Sequence, residues 1–238
     1  MEKELISKAD ISDVLIERPV SFSVKGRHYA IYRPSLGKIQ LLSRLLEAIG
    51  FNEFKPTDDI YYFSYVVAQG HRDDCIRLIA YSSLPSDDCL DEGKVSKRIK
   101  EFKELDTEDI ATILIIIFRL DRTDDIMRHF GMDKESERID KIMKVKGKSS
   151  KNTLTFGGLS VWGSLIDAAC ERYGWSFQYV LWGISYSNLR LLLTDQVKTV
   201  FLTDEERKQV RMPVKKEEVI RVDGEGSFKE FIKKQNWR

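Results

Sequence analysis

Apolar positions in this chain alternate near the start and then recur at three- and four-residue intervals for most of its length. In "VSFSVKGRHYAIYRP", Val20, Phe22 and Val24 alternate with serines, Lys25-Gly26 supplies a turn, and Tyr29 and Ile31 resume the alternation. The pattern predicts a β-hairpin with one apolar face, which is marginal alone and must lie against other structure. Pro34 ends the second strand. Ser35 is placed to cap a helix over "LGKIQLLSRLLEAIG", where Leu36, Ile39, Leu42, Leu45, Leu46 and Ile49 fall at helical spacing and Gly50 marks the stop.

From Pro56 to Phe130 the periodicity stays helical. "DDIYYFSYVVAQG" and "RDDCIRLIAYSSLP" are separated at Gly70, and "TEDIATILIIIFRL" follows with Thr107 as cap and Glu108 and Asp109 against the positive end of the helix dipole. Thr123 starts "DDIMRHFG" in the same way. Further on, "LSVWGSLIDAACERYG" carries Leu159, Trp162, Leu165, Ile166 and Ala169 on one face and stops at Gly174. Ser176 and Ser185 are placed to cap "FQYVLWGI" and "YSNLRLLLTDQVKTVFL". The fold class expected is mainly α: a short N-terminal hairpin, packed helices, and a small C-terminal helical unit.

Between the two helical regions lies "KIMKVKGKSSKNT", with Lys141, Lys144, Lys146, Lys148 and Lys151 around Gly147, Ser149 and Ser150. We read it as a flexible linker. The expected organisation is a hairpin-plus-helix domain over 1–140, a linker over 141–155, a helical unit over 156–203, and a charged, partly mobile tail over 204–238 that includes Pro213, Gly224 and Gly226.

Charge changes the picture little. Across 238 residues, 39 Lys and Arg balance 38 Asp and Glu, so no global field draws in nucleic acid or acidic lipid. The lysine-rich segment is the one local candidate for a nucleic-acid contact, and it lacks interleaved aromatic rings for stacking bases. The 11-residue apolar run "IATILIIIFRL" is about half of the ~20 residues a membrane span needs. The polar start "MEKELISKADISD" lacks the form of an export signal. Cys75, Cys89 and Cys170 are few and odd in number, as expected of reduced thiols in the cytoplasm.

Candidate chemistry is sparse. His28, His71 and His129 fall in no catalytic or zinc motif. In "HRDDC", His71 and Cys75 share a helical face, but a single pair is short of the four ligands zinc takes. His71, Asp74 and Cys75 are the best available candidates for an enzymatic reading. The pairs Asp58-Asp59, Asp73-Asp74, Asp87-Asp88 and Asp124-Asp125 look like helix-start and solubility features, because adjacent helical residues point apart. Gly157-Gly158 in "TFGGLSVWG" lacks both the preceding strand and the GK[ST] ending of a phosphate loop. The expectation is a protein with no enzymatic activity, no cofactor and no metal.

One stretch departs from this plain pattern. "YGWSFQYVLWGISYSNLRLLL" crowds Tyr173, Trp175, Phe177, Tyr179, Trp182 and Tyr186 into residues 173–193, more rings than a small unit covers easily. Leu189, Leu192 and Leu193 extend an apolar stripe toward the surface, and large exposed apolar patches usually mark a partner site.

"ERYGWSFQYVLWGISYSNLRLLLTD" resembles the C-terminal helical element of tail assembly chaperones of long-tailed bacteriophages, in which a Tyr-Gly turn leads into a "VLW" core and a Leu-rich helix. At the other end, "VSFSVKGRHYAIYRPSLGKIQLLSRLLEAIG" is similar to the hairpin, "LGK" and Leu-rich helix that open many such proteins. The resemblance covers both ends and not the middle, about half of the chain. It implies a non-enzymatic protein of the host cytoplasm that binds apolar segments of the tape measure protein, helps recruit tail tube protein, and is absent from the finished virion. The family often makes a longer form by ribosomal frameshifting, and this chain, which runs on as one product with a central helical region and a charged tail, departs from that pattern and leaves the two-form arrangement open. The candidate partner-binding residues are Trp175, Tyr179, Trp182, Tyr186 and Leu189, each of which also suits a core. Chaperones and tail proteins commonly form rings or dimers, so a homo-oligomer is an expectation to test. The alternative is a helical nucleic-acid-binding or regulatory protein that uses the lysine-rich segment.

Overall fold

A computed structural model describes residues 7–53, 55, 59–149, 159–197 and 199–210 of the chain. Helix α1 (Lys8–Leu15) opens it on a capping box, in which Ser7 and Asp10 each bond the other's main chain. Strands β1 (Val20–Val24) and β2 (Arg27–Ile31) form the expected antiparallel hairpin, with Val24 opposite Arg27. Lys25 and Gly26 both take positive φ, +48° and +73°, the conformation a two-residue hairpin turn demands.

The main core is helical. Helices α2 (Leu36–Ala48), α3 (Ile60–Gly70), α4 (Arg72–Ser82), α5 (Glu92–Phe102) and α6 (Thr107–Phe118) pack around Ile76, Leu78, Ile79, Phe102, Ile110 and Leu114. The apolar run in α6 is thus a buried helix, and among the described residues no helix is long and apolar enough to cross a membrane. The hairpin closes one side of this core, with the Phe22 ring stacked 5.5 Å from Tyr29 and Tyr29 tilted 4.8 Å from Phe102. Lys25 Nζ fastens the turn by donating to the Glu104 carbonyl at 2.6 Å.

The fold class is the mainly α architecture expected from the periodicity, and Ser35, Ser176 and Ser185 cap where anticipated. Two caps differ. Asp106, not Thr107, accepts the first-turn amide of α6, and Thr123 is the first residue of α7 (Thr123–His129), with its own N–H and hydroxyl donated to Asp121. A carboxylate accepts more strongly than a hydroxyl at a helix N-terminus, so the aspartates take the capping role.

As far as the structure describes it, the lysine-rich segment is helical and not the expected loop: α8 (Met132–Ser149) runs through it. Lysine is a good helix former, and Glu137 and Asp140 stand four residues ahead of Lys141 and Lys144, the favourable order for helical ion pairs. Lys151, Gly157-Gly158, Asp58 and the tail from 211 onward lie outside the described residues.

The C-terminal helices pack with the N-terminal ones. Among the described residues, those of 7–140 and 159–197 belong to one compact unit, and 141–149 with 199–210 to a second. In the first unit, α9 (Val161–Tyr173) ends on left-handed Gly174, Phe177 and Gln178 lead into a wide π-turn over Tyr179–Gly183, and α10 (Tyr186–Thr194) follows. Helix α10 stops at Thr194, earlier than anticipated, where β-branched and polar residues replace the leucines. In the second unit, Thr203 and Glu206 cap α11 (Asp204–Val210) reciprocally.

Candidate functional site

The contact that joins the C-terminal helices to the N-terminal ones lies at the start of α2. Ser35 pairs with Ser185 as an isolated antiparallel bridge, and the Tyr186 N–H donates to the Pro34 carbonyl at 2.8 Å. The Trp182 ring lies flat over Gly37, so close that a Cβ there would stand 2.8 Å from the indole. Leu36 belongs to the same small core as Ala169, Val180, Ile184 and Leu189. The "LGK" and "VLW" stretches, remote in sequence, are therefore two halves of one packing contact.

Glu17, just past the end of α1, completes the joint. It holds a left-handed backbone (φ +55°), and its Oε1 accepts from the Ser185 N–H at 2.8 Å and from Asn188 Nδ2 at 2.9 Å. Asn188 Nδ2 also donates to the Leu15 carbonyl at 3.1 Å.

Around this joint α1, α7, α10 and the start of α8 leave an open groove of about 650 Å³. Its floor is Ile126 and Leu191, which pack on Val14 beneath, with Ile11 and Met132 beside them. Its rim is apolar and wet: Leu15 is 57% exposed, Phe130 55% and Leu192 42%. Polar groups in the lining are few, chiefly Asp195 and Asn188, whose Oδ1 is buried and has no partner among the described residues. The Tyr173 hydroxyl pins one wall by donating to the Leu192 carbonyl at 3.0 Å. A groove with this lining suits an apolar helix face that offers a hydrogen-bond donor.

The candidate partner residues divide. Leu189 is fully buried and is a core residue, because the face of α10 that carries it turns onto Val180 and Ala169. Trp182 is half-buried against Gly37, and Tyr186 is half-buried 6.1 Å from the Trp162 ring. Trp175 is half-buried between Tyr173, stacked at 4.5 Å, and Tyr179, edge-on at 5.1 Å. Tyr179 is exposed, as are Phe177 and Trp162. The rings thus form a structural stack with an exposed outer edge. Leu192, by contrast, reaches the surface as its stripe suggested.

Two features had no counterpart in the sequence reading. One is the groove wall from α1, whose signal was the Ser7 to Asp10 capping box ahead of Ile11, Val14 and Leu15. The other is Lys38, which is completely buried: its Nζ donates to the carbonyls of Leu84 at 2.6 Å and Ser82 at 3.3 Å, with the Tyr32 ring 5.8 Å away. Burial lowers the Lys38 amine to about 8.

The candidates for chemistry have structural partners. His71 joins α3 to α4 through its main chain. The buried Cys75 Sγ donates to the Val67 carbonyl at 3.5 Å, and burial, with a smaller push from Asp74, raises its thiol to about 12, far from a reactive thiolate. Asp88 pairs with Lys94 at 2.6 Å, and Asp124 with Arg190 at 2.8 Å. Among the described residues no group of three or more His, Cys, Asp or Glu could hold a metal ion. Comparison with protein-family models, with curated proteins and with solved structures finds no match to this chain.

Proposed function

We propose that this chain is a tail assembly chaperone of the bacteriophage type, which shields apolar helical segments of a tape measure protein in the host cytoplasm and helps bring tail tube protein to it. The observation that carries this reading is the groove between α1, α7 and α10, where Leu15, Phe130 and Leu192 expose apolar surface above an apolar floor. Such a surface lowers the free concentration of an aggregation-prone helix by mass action and needs no catalytic group. The packing of "LGK" against "VLW" supports the reading, because the two stretches that carry the resemblance build the joint beside that groove.

Co-expression with the products of neighbouring genes, followed by a high-salt wash, tests it. A long helix-rich partner or a tube subunit should stay bound and should be lost with Leu192→Glu, whose exposed position leaves thermal stability intact. Binding of nucleic acid alone, and only at low salt, would overturn the proposal in favour of the lysines of α8.

A further inference from the structure

The hairpin is the sole sheet among the described residues and has two strands, so β1 has a second edge that β2 does not cover. Val24 and Arg27 flank a two-residue turn and so exchange both main-chain hydrogen bonds, as Phe22 does with Tyr29 and Val20 with Ile31. The main-chain groups of Ser21 and Ser23 consequently point away from β2. Among the described residues no main-chain bond reaches them, and both serines are exposed. Nothing in the strand blunts this edge: Val20-Ser21-Phe22-Ser23-Val24 has no charge, no proline and no bulge.

The strand is also a palindrome about Phe22. Laid antiparallel on a copy of itself with the two Phe22 residues opposed, Ser21 of one copy faces Ser23 of the other. The outward N–H and C=O groups then meet in register, and valines oppose valines on the core side. This is the self-complementarity a two-fold interface requires. We propose that the outer edge of β1 pairs with β1 of a second copy of this chain, antiparallel about Phe22, joining two hairpins into one four-stranded sheet. The edge is separate from the α1, α7 and α10 groove, so the pairing stands or falls independently of the chaperone reading.

Sedimentation equilibrium across a concentration series tests it. The wild-type chain should show a reversible dimer. Ser21→Pro removes an outward donor twice per dimer at an edge position that tolerates proline, and should weaken association at least about tenfold with the helical circular dichroism unchanged. A second test is independent of that variant's folding. In a Cys170→Ser background, an oxidised mixture of Ser21→Cys and Ser23→Cys chains should cross-link, because facing Cα atoms in this register lie about 5.5 Å apart. Either variant alone should not, since its two cysteines would lie about 8 Å apart. A wild-type monomer throughout the series, a folded Ser21→Pro chain that still dimerises fully, or a mixture that cross-links no better than its components would each overturn the proposal.

Discussion

Lys38→Met separates the two effects that Lys38 has on stability. A buried ammonium whose described partners are main-chain carbonyls and an aromatic ring is costly to hold, and its fall from the ordinary 10.5 to about 8 corresponds to about 3 kcal/mol at neutral pH. Between these values the unfolded chain binds more protons at this position than the folded one, so stability rises with pH through the window. About 1 kcal/mol of the cost is recovered between pH 7 and 9. Methionine fills a similar volume without the charge but withdraws the donor from the Leu84 carbonyl, a loss of about 1–3 kcal/mol. Ser82 keeps a partner, because the Tyr32 N–H donates to the same carbonyl at 3.0 Å. The relief and the loss nearly cancel at pH 7, so the variant should unfold at a similar urea concentration there. At pH 9 it should be less stable than wild type by about 1 kcal/mol more than at pH 7. Cys75 deprotonates in both unfolded chains as the pH rises and drops out of the difference to first order, whereas the Cys89 thiol, which burial raises and Lys38 lowers, rises further in the variant and shifts the difference in the same direction. Urea titrations at the two pH values measure it, and a wild-type-minus-variant difference that stays constant would refute the account of Lys38 as a charge held against desolvation.

Gly37→Ala forces the Trp182 indole to move, and should destabilise by about 1–3 kcal/mol even though alanine favours a helix, with a shift in Trp fluorescence as the readout. Glu17→Ala removes the acceptor for the buried Ser185 N–H and should cost about 1–3 kcal/mol in chemical denaturation, and Glu17→Gln, which keeps a carbonyl acceptor, less. Trp182→Ala should destabilise on the order of 3 kcal/mol, so loss of partner binding in that variant reports on folding, whereas loss in the stable Leu192→Glu variant reports on the groove.

The hairpin, the caps at Ser35 and Ser185, and the buried faces of α2 and α6 were legible in the sequence because each depends on residues within one or two turns of chain. Alternation places Phe22 and Tyr29 on one face, and helical spacing places Leu42, Leu46 and Ile49 on one side of α2, whatever the rest of the chain does. Local signals also misled where two local readings compete: the lysines around Gly147 suit a solvated loop and a solvated helix equally, and the preceding Glu137 and Asp140 favour the helix.

The candidate site was less legible, because residues far apart in the chain build it. The aromatic stretch announces itself, yet whether a ring is core or surface depends on what lies across from it. Gly37, 145 positions before Trp182 by their residue numbers, makes room for that indole. The same holds for Lys38, whose polar side chain predicts exposure until the ends of α2 and α4 enclose it. Sequence by itself determined which segments are helices and strands and which of their faces are apolar, since neighbouring side chains set both. Only the tertiary structure decided which apolar faces meet and which stay open, leaving Leu189 inside and Leu192 in the groove, because burial is a property of the surface opposite.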